Sequence, residues 1–131
     1  MNRLFQKRFE VSYQGKKLVF EINQLATKSE KSILCRYGNT TVLTVLCLKQ
    51  LKESNLNFAP LTVFFEEKFY SVRKIPAVFS KREGKPDYNS ITIARLIDRS
   101  LRSFLSNQYE IQITNSVLSF DPAADPRIVA C

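Results

Sequence analysis

Apolar and polar residues alternate with period two in RFEVSY (8–13) and again in KLVFEI (17–22). That is the spacing of half-buried strands, and Gln14-Gly15 between them predicts a turn. A third, shorter strand is expected near Leu25 to Thr27. In KSILCRYGNTTVLTVLCLK (31–49) the pattern sharpens. Ile33, Cys35 and Tyr37 share one face, Leu34 and Arg36 the other, and Gly38-Asn39 is a hairpin turn that accepts positive φ. Thr41 to Leu48 is apolar on both faces, as in a central strand. Residues 49–60 are polar and end in Pro60, which predicts a loop. LTVFFEEKFY (61–70) and EIQITNSVLSF (110–120) return to strand chemistry.

The period changes in SITIARLIDRSLRSFL (90–105), where Ile93, Ile97, Leu101 and Phe104 recur at spacings of four, four and three. One apolar stripe of that kind predicts a helix, with Asn89 or Ser90 as its cap. Strands, then a helix, then a strand indicate an α+β fold. Near the end, Asp125-Pro126 pairs an N-cap residue with proline at the first helical position. Only five residues follow it. The reading is either a chain cut short at a helix start or a frayed tail after a complete fold.

Residues 71–89 show no periodicity, and a loop of that length inside a compact domain is usually functional or mobile. It contains KIPAVFSKREGKPD (74–87), in which Phe79 stands beside Lys81 and Arg82.

The charge balance gives this loop weight. Lys and Arg total 20 against 12 Asp and Glu, a net +8. An excess of that size favours a polyanionic partner, RNA, DNA or acidic lipid, against the alternative of a basic surface that serves solubility. The 44% hydrophobic content is that of an ordinary folded domain and argues against disorder. No apolar run is long enough for a transmembrane helix, and MNRLFQKRFE has no apolar signal core, so a cytoplasmic location with no membrane partner is expected. The chain has no histidine and no CxxC among its three cysteines, which argues against zinc sites and a disulfide framework. Cys35 and Cys47 are expected to be reduced core residues.

On the 90–105 helix, Arg95, Arg99 and Arg102 fall within about 60° of one another and opposite Ile93, Ile97 and Phe104. Three guanidiniums on one face suit phosphates, and Asp98 stands where it can pair with Arg95 or Arg102. The alternative is an ordinary solvated helix face. Phe79 either folds back into the core or offers a ring on which a base stacks, an interaction of about 1–3 kcal/mol. Aromatic ring, basic pair and arginine face together point to single-stranded nucleic acid.

ILCRYGNTTVLTVL, PLTVFFEEKFYSVRKIP, FSKREGKPD, ARLIDRSLR and VLSFDPAADP occur in this order. Together they resemble the first ribonuclease-PH-like domain of the bacterial polynucleotide phosphorylase family, from about residue 9 to the last. The resemblance implies a ribonuclease-PH-like (ribosomal protein S5 domain 2-like) fold, with a mostly antiparallel, mixed sheet and one main helix. It implies phosphate-dependent 3′–5′ degradation of RNA to nucleoside diphosphates, single-stranded RNA as partner without DNA specificity, and a homotrimeric ring with a central pore. It places RNA contacts at Phe79, Lys81 and Arg82 in the pore loop and at Arg95, Arg99 and Arg102 on the helix.

Ser80 replaces a second phenylalanine of that loop. Ala77 and Val78 replace a small, often glycine-containing pair, and Ser100 and Ser103 stand where prolines are usual. The resemblance assigns Mg2+ and phosphate to the full-length enzyme. Their ligands and the catalytic groups belong to a second domain, so no catalytic or metal residue is assigned here. Residues 1–131 are expected to be an incomplete N-terminal portion of the first domain, inactive alone. The alternatives are a stand-alone RNA-binding module and a structural subunit docking in a ring.

Overall fold

The computed structural model describes residues 6–51, 57–78, 85–105 and 108–131. Their core is one six-stranded sheet in the order β1-β2-β3-β4-β6-β5. The strands are β1 (Lys7–Tyr13), β2 (Lys16–Ile22), β3 (Lys31–Tyr37), β4 (Thr40–Gln50), β5 (Leu61–Glu67) and β6 (Tyr109–Ser119). Helix α1 (Tyr88–Arg102) lies between β5 and β6 in sequence, and α2 (Pro126–Ala130) follows β6.

The first four strands form a meander, because each connection is short. Gln14 and Gly15 turn the chain with φ of 47° and 75°, the two positive values a type I′ hairpin requires. In the two-residue turn between β3 and β4, Gly38 alone is positive, at 59°. A Cβ there would stand 3.6 Å from the Ala124 Cβ, so this glycine also lets the 121–124 turn come close. β4 then pairs with β6, and β5 lies parallel to β6 at the sheet edge. Parallel neighbours need a crossover, and α1 supplies it.

One sheet face carries the core. Cys35, Tyr37, Val42, Phe65 and Val117 meet Ile93 and Ile97 of α1 and Val129 of α2. Val42 and Val117 are cross-strand partners and wholly buried. Asn115 is a wholly buried polar residue on this face. It is satisfied, since its Oδ1 accepts from Thr44 Oγ1 at 2.7 Å and its Nδ2 donates to the Phe64 carbonyl at 3.2 Å. Thr40 does similar work at the other end. Its buried hydroxyl donates to the Ala124 carbonyl at 2.6 Å and accepts from the Asp121 N–H at 2.9 Å.

Alternation puts Glu21 on the opposite sheet face. There it is 7% exposed, with Arg36 at 3.3 Å and Arg8 at 3.8 Å. Asp125 caps α2 as its sequence predicts, accepting from Arg127 N at 2.8 Å. The Arg127 side chain bonded to it holds its carboxyl below the usual range.

The structure corrects several expectations. Leu25 to Thr27 is not a strand. Ala26 has a φ of 51°, which no strand allows, and the Ser29 N–H and hydroxyl both bond the Ala26 carbonyl. β5 ends at Glu67, and Phe69–Val72 is a 3₁₀ turn. Helix α1 starts two residues earlier than its pattern suggests. Asp87 is the cap residue, in extended backbone, and Ser90 is buried inside the helix. Phe104 lies beyond the helix end and is 83% exposed. The stripe facing the sheet therefore ends with Leu101.

Cys47 is exposed, unlike buried Cys35. Counting from core-facing Val42, alternation turns Cys47 to the sheet face that α1 and α2 do not cover. Burial pushes the Cys35 thiol up to about 11. An unfolded chain would ionise this thiol first, near the ordinary value of 9.0. The unfolded state thus binds fewer protons there, and this thiol's contribution to stability falls as pH rises from about 9 to 11. At pH 8, alkylation should label Cys47 rapidly and Cys35 only on unfolding. Equal labelling rates in the folded protein would contradict the buried placement.

Candidate nucleic-acid interface

Helix α1 sets the geometry of this surface. Thr92 Oγ1 donates to the Tyr88 carbonyl at 3.0 Å, and the Ile91 N–H reaches the Asp87 carbonyl at 3.1 Å, which closes the first turn. Ile93 and Ile97 anchor the inner face. The outer face is then fixed by the 3.6-residue period, and Arg95, Arg99 and Arg102 are all exposed on it. Arg99 and Arg102 stand in the last turn, where the helix dipole favours positive charge.

The three guanidiniums are held differently. Arg102 Nε donates to Asp98 Oδ2 at 2.8 Å, and its Nη1 approaches the Ala59 carbonyl at 3.5 Å. Asp98 thus pairs with Arg102, one of the two partners its spacing allowed. Arg95 and Arg99 have no ion-pair partner among the described residues. A salt bridge this exposed is worth little in stability. Its effect is positional, since it limits the orientations available to Arg102.

Beside this face, α1 and the edge strand β5 enclose a groove of about 390 Å³. Arg95 and Arg102 stand along it, and Leu61, Val63, Ile91 and Ala94 give it an apolar lining. A second, broader depression of about 1250 Å³ adjoins the helix start, with Tyr70, Tyr88, Lys74 and Lys85 on its walls. The surface therefore offers fixed and free guanidiniums, flexible ammonium groups and exposed rings within reach of one helix.

The arginine face is thus brought together as the sequence predicts. Phe79, Lys81 and Arg82 lie outside the described residues. Among the described residues no three of His, Cys, Asp or Glu stand close enough to hold a metal ion. No helix among them is long and apolar enough to cross a membrane. The sequence reading missed Tyr88, because it began the helix at Ser90. The available signal was the seven-residue spacing from Tyr88 to Arg95.

Comparison with known proteins agrees with this fold. Residues 14–131 match the family model described as "3' exoribonuclease family, domain 1". The polyribonucleotide nucleotidyltransferase of Streptococcus thermophilus is 40% identical over 127 residues, covering 95% of this chain and 17% of the relative. That of Caldicellulosiruptor saccharolyticus is 40% identical over 126 residues, covering 95% and 18%. That of Streptococcus agalactiae is 43% identical over 124 residues, covering 93% and 17%. This chain therefore spans about a sixth of the length of these curated relatives.

Among solved structures, an Archaeoglobus fulgidus exosome with RNA bound to the active site aligns with a TM-score of 0.55 at 20% identity, over 90% of this chain and 45% of that one. Rice (Oryza sativa) Rrp46 aligns with a TM-score of 0.59 at 13% identity, over 97% and 52%. At those identities the likeness is one of fold. A mixed sheet whose core face is covered by α1 and α2, a family match across residues 14–131, and bacterial relatives at 40% identity lead to one conclusion: the chain belongs to the 3′ exoribonuclease family, in its domain 1.

Proposed function

We propose that residues 1–131 are the N-terminal portion of the first ribonuclease-PH-like domain of a cytoplasmic, phosphate-dependent 3′–5′ exoribonuclease, and that they supply RNA binding. The observation that carries this reading is the face of α1, where Arg95, Arg99 and Arg102 are exposed together. Fork-shaped guanidiniums at that spacing hold phosphodiester oxygens along a strand. In this reading Phe79, Lys81 and Arg82, which the resemblance assigns to a pore loop, also contact RNA. Magnesium and attacking phosphate are used by other parts of the complete enzyme, in a ring of three subunits.

The test is the affinity of the chain for a fluorescent single-stranded oligouridylate across a range of salt. Each phosphate contact to a single strand contributes about 0.7 to the slope of log K against log salt. Arg99→Ala should make that slope shallower by about 0.7 while the melting curve stays in place. An unchanged affinity and slope would remove Arg99 from the RNA path.

A further inference from the structure

We propose that Tyr88 is a base-stacking residue at the head of the arginine face, so that single-stranded RNA lies along α1 with a base on this ring. The inference deepens the RNA-binding reading and rests on it.

Tyr88 is 80% exposed. An exposed tyrosine alone is ordinary, but its place on the helix is not. At about 100° per residue Tyr88 lies about 20° from Arg95, within the same arc of about 60° as Arg99 and Arg102. The four side chains therefore form one stripe about 21 Å long from Tyr88 to Arg102. Helical side chains lean toward the N-terminus. The ring thus leans toward the depression that it lines with Lys74 and Lys85.

Asp87 and Glu67 also line that depression, so its charge is mixed and the ring, more than the ammonium groups, distinguishes it. The one ring pair among the described residues is Tyr13 with Tyr37, so no described ring stacks on Tyr88, whose 80% exposure leaves it accessible to a base. A protein partner is less suited to the stripe, because its three arginines favour a repeating anion.

The chain contains no tryptophan, so Tyr88→Trp introduces a single reporter. Its emission should be quenched by oligouridylate and not by an abasic oligomer of equal length. Tyr88→Ala should weaken oligouridylate binding about 5–150-fold, the range of one lost stack. The salt slope should not change, since a ring releases no counterions. Tyr88→Phe should retain affinity.

Unquenched emission from the Tyr88→Trp variant, together with full affinity in Tyr88→Ala, would overturn the proposal; if Arg99→Ala still lowers the salt slope, the RNA-binding reading survives. No oligouridylate binding by the unaltered chain would remove both. If the Tyr88→Trp emission shifts with protein concentration and not with RNA, the ring belongs to a contact between chains instead.

Discussion

Ile97→Ala should lower the unfolding free energy by about 2–5 kcal/mol, the range for removing a large aliphatic side chain from a core. Ile97 is 2% exposed and belongs to the cluster with Phe65, Val42 and Val117. A stable small domain has only about 5–15 kcal/mol in hand, so the variant should melt far earlier. The loss has two parts, the transfer free energy of the missing atoms and the cavity left between α1 and the sheet. Leu96→Ala is the matched control, because Leu96 is 49% exposed on the same helix and leaves no cavity. Denaturant melts of the two variants should differ by well over about 1 kcal/mol. Similar melts would mean that α1 does not pack on the sheet as described.

The second large effect is on RNA. Replacing Arg95, Arg99 and Arg102 together by alanine should weaken single-strand binding about 100-fold near 0.1 M salt, from three contacts at about 0.7 log units each. The slope of log K against log salt should become shallower by about 2. None of the three is buried, so the melting temperature should move little. Substituting lysine at all three positions should restore most of the slope but less of the affinity, because an ammonium group lacks the planar fork that grips two oxygens. A triple alanine variant that keeps its affinity would leave the arginine face as a solvated surface.

Much of the fold was legible because hydrophobic period and turn chemistry are local. The hairpins at Gln14-Gly15 and Gly38-Asn39, the central place of β4 and the cap at Asp125 follow from residues adjacent in sequence. Leu25 to Thr27 failed because a short apolar segment has no period to read, and Ala26 adopts a left-handed backbone that alanine seldom takes. Phe104 failed because its spacing continues a stripe that the helix itself does not continue. Cys47 failed for a different reason. Its strand is apolar on both faces, but the helices that decide what is covered come from elsewhere in the chain.

The arginine face was legible from helical arithmetic alone, as was a carboxylate able to hold one arginine. Which arginine Asp98 takes was not, since Arg102 is also drawn by the Ala59 carbonyl, 43 residues away. The groove between α1 and β5 was equally invisible, because it exists only once the crossover is folded onto the sheet edge.

The place of β4 in the sheet has a consequence for synthesis. Its partner on one side, β3, is adjacent in sequence, but Thr44 pairs on the other side with Asn115. A ribosome adding about 5–20 residues per second takes roughly 4–14 s to cover that interval. For that time the emerging chain holds a completed meander whose most apolar strand is its open edge, an arrangement that invites pairing with other nascent chains. The strand at the centre of the finished sheet is the one that waits longest for its neighbour. Protection of that edge as the chain leaves the ribosome should therefore govern yield more than any residue on the finished surface.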